Sequence, residues 1–390
     1  MMKYPIVFIL FMAINTLGLA QNMNYGGLVT DNYYEELPYE FINGKIVIEI
    51  EIGGHQKKFL LDTGAPCQIS REIADELNIG QKNSSKVIDA YGNTNINGID
   101  LIKSIKLGGT EFNNVPTLIG IPEFFKCIGV EGIIGSNLLR KSIIQFISSK
   151  KTVVITDDLN RLPFKPSTAS RLNTKADNQS SPFIQVKIGD QLNGEFLFDT
   201  GDSGLMMISN SYMDNIKQQN IFRKIATGYG ANSFGENGAE QRAIKYRISF
   251  HNMTIGNIDF KNVITETAYN NHQTGTIGSK LLNYGTITID FIHAKFYADP
   301  TNTENDLNEK SWPLSPAYSD HKLVTGIVWE KLKDSVKPGM QIIAIDGVAC
   351  EQIDLCNLLT QKSLLFGKEH ATITIKNDSG TITKLVIDKE

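Results

Sequence analysis

A strand-like run ending in Asp-Thr-Gly occurs twice in this chain, as Phe59-Leu60-Leu61-Asp62-Thr63-Gly64 and as Phe196-Leu197-Phe198-Asp199-Thr200-Gly201. One copy of so short a word would carry little. Two copies in matching apolar contexts ask for a fold with two equivalent lobes. They also supply a pair of carboxylates that such lobes can bring face to face.

The surroundings repeat as well. Ile46-Val47-Ile48-Glu49-Ile50-Glu51-Ile52-Gly53 precedes the first copy and Pro182-Phe183-Ile184-Gln185-Val186-Lys187-Ile188-Gly189 the second. Both alternate apolar and polar residues with period two, the pattern of a half-buried strand. A short polar turn then leads into the Asp-bearing strand, so each lobe opens on a hairpin. Downstream, Gly132-Ile133-Ile134-Gly135-Ser136-Asn137-Leu138-Leu139 matches Gly275-Thr276-Ile277-Gly278-Ser279-Lys280-Leu281-Leu282 at six of eight positions. A repeat this long exceeds a solenoid unit and reads as two homologous lobes. Tyr91-Gly92 and Tyr229-Gly230 follow the two aspartates at nearly equal spacing, in Gly- and Asn-rich stretches that favour hairpin tips. These are either ordinary surface turns or flaps that close over a bound peptide.

The expected fold is mainly β, with two homologous β-barrel lobes followed by a smaller domain. The first lobe covers 21–156 and closes with a hairpin over 142–155. A polar stretch, 157–181, reads as a linker. The second lobe covers 182–305 and closes with a similar hairpin over 285–297. Brief helices are expected near 71–77 and 211–218. The last part, 306–390, has a different order: a strand at 323–329, then Lys337-Pro338-Gly339-Met340-Gln341-Ile342-Ile343-Ala344-Ile345-Asp346-Gly347 as turn, strand and turn. A helix over 353–359 and a hairpin over 371–387 complete it.

At the amino end, Lys3 precedes an apolar run from Pro5 to Ala13, and Gly18-Leu19-Ala20 stands before Gln21. This is the layout of a secretory signal peptide over 1–20, and the run is too short for a stable membrane span. The expected location is therefore outside the cytoplasm, periplasmic or extracellular. Export would permit disulfides among Cys67, Cys127, Cys350 and Cys356. Pairing within Cys67/Cys127 and within Cys350/Cys356 is one reading, and ordinary buried thiols another. Cys67 has no recognisable histidine partner, which argues against a thiol nucleophile. Charged residues make up 21% and the net charge is −4, which gives no footing for nucleic acid. The six histidines lack metal-ligand spacing, which argues against a metallopeptidase, so no metal or cofactor is expected.

Over residues 45–390 the chain resembles the secreted bacterial aspartyl proteases of the two-lobed, retropepsin- or pepsin-like kind that carry a carboxyl-terminal PDZ domain. The resemblance rests on the paired Asp-Thr-Gly words, the paired Gly-Ile-Ile-Gly and Gly-Thr-Ile-Gly words, and the Pro-Gly-x-x-Ile-x-x-Ile-Asp-Gly segment of the tail. It implies that Asp62 and Asp199 form a catalytic dyad, that Thr63 and Thr200 lock the two turns together, and that Gly64 and Gly201 let backbone approach the carboxylates. Ile133-Ile134-Gly135 and Thr276-Ile277-Gly278 would pack behind those turns. The implied activity is an aspartic endopeptidase acting on peptide or protein; the alternative is a non-catalytic exported peptide-binding protein with the PDZ-like part as adaptor. A peptide carboxyl terminus is the partner that the PDZ resemblance implies, although Met340 stands where an acidic residue is usual. Two further departures concern the site. Ala65 replaces the Ser or Thr of pepsin-like enzymes, which suggests a less acidic optimum. Asp202 adds a carboxylate that would raise the pair's pKa, bind the amino end of a substrate, or mark a lobe drifting from catalysis.

Overall fold

Each Asp-bearing strand is the second arm of a hairpin, and each is threaded between neighbours in the same way. In the computed structural model, which describes residues 22–80, 83–190, 192–216, 221–268, 274–351 and 353–390, Lys45–Ile52 pairs with His55–Asp62 and Phe183–Ile188 with Leu192–Asp199. The signal peptide expected over 1–20 lies outside the described residues, as does the end of the helix expected over 211–218, which is seen as Asn210–Ile216. The first helix is Arg71–Glu76, capped by the Ser70 hydroxyl.

The arms ending in aspartate run parallel to the second repeated word. Asp62 stands opposite Gly135, and Asp199 opposite Gly278. Parallel strands are buried on both faces, which explains why Phe59, Leu61, Phe196 and Phe198 form an unbroken apolar run through the core. A short strand just after each turn pairs back on the same word: Gln68–Ile69 in the first lobe and Met206–Ser209 in the second. The protein is thus mainly β, with two homologous lobes.

The lobes are joined by one continuous sheet. Its order is Tyr34–Ile42, Thr152–Thr156, Ile143–Ile147, Gly285–Asp290, Lys295–Pro300 and Ser170–Asn173. The central pair crosses the pseudo-twofold axis, with Ile144 opposite Ile289 and Gln145 donating to Thr288 Oγ1 at 2.9 Å. The stretch expected as a linker is not a loose tether. It contributes Ser170–Asn173 to this sheet and buries Leu162 and Leu172, because a polar sequence can still place one side in a core.

Residues 314–390 have a separate apolar core, including Val336, Ile342, Ile345, Ile373, Ile375 and Ile387. The strands are Leu314–Ser319, Lys322–Trp329, Gln341–Ile345, Val348–Ala349, His370–Lys376 and Ile382–Asp388, with a helix at Leu355–Thr360. A strand pairing and a disulfide are two of the attachments that tie this tail to the lobes. Lys322–Trp329 adds to the second-lobe strand Arg223–Gly230, with Gly228 opposite Trp329 and Gly230 opposite Ile327. Trp329 is fully buried there, and the Arg247 guanidinium stacks on its ring at 4.0 Å. The second attachment is a disulfide between Cys127 of the first lobe and Cys356 of the tail helix. Neither expected couple is paired: Cys67 and Cys350 are buried thiols. Sequence proximity had suggested Cys350–Cys356, but the tail helix faces the first lobe instead. Among the described residues no helix is long and apolar enough to cross a membrane.

Candidate active site

Both Asp-Thr-Gly turns meet at the lobe interface and are locked by reciprocal hydrogen bonds. Thr63 N–H donates to Thr200 Oγ1 at 3.0 Å, and Thr200 N–H donates to Thr63 Oγ1 at 3.1 Å. Each hydroxyl then donates across the interface, Thr63 to the Phe198 carbonyl at 2.5 Å and Thr200 to the Leu61 carbonyl at 2.8 Å. All of this is buried, so every donor in the lock has a partner that water cannot replace. Behind the turns, Ser136 N–H donates to the Ala65 carbonyl and Ser279 N–H to the Asp202 carbonyl, the same bond made once per lobe.

The carboxylates are held from below and pressed from the side. Asp62 Oδ1 accepts from Gly64 N–H at 2.9 Å, and Asp199 Oδ1 from Gly201 N–H at 2.8 Å. Each glycine also lies against the carboxylate of the opposite lobe. A Cβ on Gly64 would fall 2.5 Å from Asp199 Cγ, and one on Gly201 2.2 Å from Asp62 Oδ2. No other residue type fits either position without moving an aspartate.

Burial pushes both carboxyls above the ordinary carboxylate range. For Asp62 the Lys45 ammonium, the bond to Asp199 and the Gly64 and Ala65 amides oppose the rise. For Asp199 the negative charges of Asp62 and Asp202 add to it, and it is raised well above the usual value. Two carboxyls so placed titrate as a pair that shares a proton, and Asp199 is raised the further of the two.

Lys45 was not singled out from sequence. It begins the strand after a two-residue turn, Asn43-Gly44, whose φ angles of 45° and 81° are those of a tight hairpin. That hairpin crosses from the first lobe to the second. The Lys45 ammonium donates to the Gly201 carbonyl, Ser279 Oγ donates to the Gly44 carbonyl at 2.5 Å, and Asn43 Nδ2 reaches the Leu359 carbonyl of the tail.

Asp202 occupies the position equivalent to Ala65. Its Oδ1 accepts from Gly204 N–H and its Oδ2 from Thr276 Oγ1, both at 2.8 Å. Ala65 instead packs beside Ile133 in an apolar cluster.

One hairpin tip from each lobe meets the other. In the first lobe, Asn83–Ile88 and Thr94–Leu107 pair up to Ile88 opposite Thr94, leaving Tyr91 and Gly92 in the tip. Asp89 Oδ1 accepts from the Tyr91 and Asn93 amides, both at 2.9 Å, which shapes that tip. Burial and the charges of Asp202, Glu240 and Asp199 hold the Tyr91 phenol above its ordinary value, against a hydrogen bond to Ser233. In the second lobe the expected tip is displaced. Tyr229 and Gly230 lie within the strand Arg223–Gly230, bonded to Ala243–Ile255 on one edge and to the tail strand on the other. The spacing matched the first lobe, but the hairpin here extends further and its tip is 231–242. That tip carries a small hairpin of its own, Phe234–Gly235 with Gly238–Ala239.

The two tips clasp. Asn237 N–H donates to Asp89 Oδ2 at 3.0 Å, and Asn93 Nδ2 donates to the Ala239 carbonyl at 3.1 Å. Beneath the first-lobe tip, a cavity of about 380 Å³ opens on the second-lobe side, bordered by Tyr91, Asp202, Met206, Lys245 and Lys280, and closed by Ser311 and Ile327 of the tail.

Residues 48–141, most of the first lobe, match the family described as gag-polyprotein putative aspartyl protease. Among curated proteins no sequence matches. Among solved structures, a retropepsin-like aspartic protease from Rickettsia conorii aligns at 19% identity over 32% of this chain and 94% of its own, with a TM-score of 0.25. The aspartic proteinase from Irpex lacteus aligns at 12% identity over 70% and 98% of the two chains, with a TM-score of 0.41. Basic 7S globulin from soybean gives 12%, 70% and 96%, with a TM-score of 0.40.

Proposed function

We propose that the protein is an aspartic endopeptidase whose catalytic pair is Asp62 and Asp199. The observation that carries this is the interlocked pair of Asp-Thr-Gly turns, with each glycine laid against the other lobe's carboxylate. Two carboxyls so placed cannot both ionise cheaply, and aspartic proteases are the standard illustration of that sharing. Asp62, tempered by Lys45, takes a proton from a bound water as it attacks the peptide carbonyl. Asp199 donates its proton to the carbonyl oxygen, which gives the gem-diol. Return of a proton to the amide nitrogen then releases the two peptide products. The substrate would run beneath the clasped tips, with Tyr91 over it and the cavity beside Asp202 receiving one side.

The Cys127–Cys356 disulfide suits an oxidising compartment. With the leader-like amino end, it supports action after export, in the periplasm or outside the cell. For the PDZ-like tail we propose a brace. Its strand Lys322–Trp329 already has Leu314–Ser319 on one edge and the flap strand at 327–329 on the other, so strand addition there is made to the chain's own flap.

A peptide carrying a tetrahedral hydroxyl in place of the scissile carbonyl tests the reading. It should bind the wild type about 100-fold or more tighter than the matched amide, because it resembles the transition state. Equal binding of the two would favour a protein that holds peptides without cutting them.

A further inference from the structure

The strand after each Asp-Thr-Gly turn sits at the same register in both lobes. Gln68 stands opposite Ile133 and Met207 opposite Thr276, and Ile133 and Thr276 are matched positions of the repeated Gly-x-Ile-Gly word. Gln68 and Met207 are therefore equivalent across the pseudo-twofold axis. Their surroundings are not. Met207, with Met206 and Asp202, borders the open cavity of about 380 Å³. Gln68 is fully buried, and Glu236 from the second-lobe tip lies against it.

The clasp delivers Glu236 to that place. On one side of it Gly235 lies against Asp89 and Tyr91, so closely that a Cβ would fall 2.3 Å from Asp89 Oδ2. On the other, Asn237 N–H donates to Asp89 Oδ2 at 3.0 Å, and Asn237 Nδ2 reaches the Val87 and Asn93 carbonyls at 3.4 Å. Glu236 Oε1 is shut off from solvent, as are both polar atoms of the Gln68 side chain. The Gln68 amide holds the Glu236 carboxyl, and the charged groups facing it are Asp62 from the catalytic turn and Asp89 from the first-lobe tip. The chain's own glutamate thus fills, in the first lobe, the place that stands open in the second. An extended polypeptide lying across the aspartate pair needs room on both sides of it, and only the second-lobe side offers that room.

We propose that Glu236 is an intramolecular plug, which keeps the protein latent until the second-lobe tip lifts and a residue of the bound polypeptide takes its place beside Gln68. This rests on the endopeptidase reading and adds its regulation. The plug responds to pH. Burial pushes the Glu236 carboxyl from 4.5 up to about 7, with the Asp62 and Asp89 charges adding to the rise and Gln68 opposing it. A carboxyl raised in the closed form favours that form when protonated. Closure is therefore firmest in acid, below the ordinary glutamate value, and is lost as pH rises through 7, by about tenfold per pH unit between the two.

The test uses residues 21–390 and a fluorogenic peptide chosen from a mixed library, with Glu236→Ala, Glu236→Gln and Gly235→Ala. The first removes the plug, and the second keeps it fixed in the uncharged form. A Cβ at 235 collides with Asp89 and lifts the tip while leaving Glu236 intact. At pH 5 both alanine variants should raise kcat/KM about tenfold or more over the wild type, because a larger fraction of molecules is open, and Glu236→Gln should match the wild type. At pH 8 the wild type should approach Glu236→Ala, with Glu236→Gln about tenfold below both. Misfolding does not produce such gains. No gain at pH 5 in the two alanine variants would overturn the proposal, as would Glu236→Gln rates that follow the wild type at pH 8. Should neither the wild type nor any variant cleave the library, the endopeptidase reading fails, and anisotropy with the same peptide, labelled, decides the plug. Tighter binding by the two alanine variants at pH 5 would uphold it. Equal binding by all four proteins, or none, would overturn it.

Discussion

Thr276 donates its hydroxyl to Asp202 at 2.8 Å, and these are the two positions where the first lobe has Ile133 and Ala65, which belong to one apolar cluster. The two lobes differ here by a matched pair of substitutions, a polar couple in one and an apolar couple in the other. Asp202 is therefore held in place beside Asp199.

Replacing Asp202 with Asn should move the alkaline limb of the kcat/KM profile to lower pH. Asp202 raises Asp199 by like-charge repulsion, and the alkaline limb reports loss of the proton that Asp199 carries. Without the charge that proton leaves sooner. A profile with its alkaline limb unmoved would separate Asp202 from the titration of the pair.

Lys45→Met should shift the profile the other way. The ammonium lowers both Asp62 and Asp199, so its loss raises both, and the acid limb set by Asp62 moves upward with the alkaline one. Lys45→Arg should restore the wild-type position. Equal profiles for Met and Arg at this site would mean that Lys45 acts only as an interlobe strut.

Thr200→Val keeps the shape of the side chain and removes its oxygen. It orphans the Thr63 N–H and ends the bond to the Leu61 carbonyl. Two buried groups then lack partners, at a cost of about 2–4 kcal/mol in stability. Urea unfolding of Thr200→Val against Thr200→Ser measures it, since serine retains the oxygen.

Cys356→Ser removes a crosslink that spans 229 residues of sequence. Closing so long a loop in the unfolded chain implies a loss of about 2–5 kcal/mol. The thermal midpoint should fall, and reductant, which lowers the wild-type midpoint, should no longer affect the variant.

The lobes, their hairpins and the two aspartates were legible because duplication printed each of them twice and strand burial leaves a period of two. The threonine lock followed from resemblance alone, since nothing in spacing says which side chains will cross an interface. Lys45 was half legible: Asn43-Gly44 marks a hairpin, but only the fold shows its tip reaching Gly201. Tyr229 and Gly230 misled because a hairpin tip was placed by analogy with the first lobe, whereas the second runs on to 242. Cys127–Cys356 was hidden for a related reason. Which thiols meet depends on how the tail docks, and that docking is made by Trp329 and the flap strand.

The most direct measurement is cleavage of a mixed peptide library from pH 3 to 8 by residues 21–390, with Asp62→Asn and Asp199→Asn alongside and products read by mass spectrometry. The account predicts internal cuts by the wild type and none by either variant, because each carboxyl has a separate role that an amide cannot fill. Cleavage that survives in either variant would contradict it, as would a folded wild type that retains peptides and cuts none at any pH.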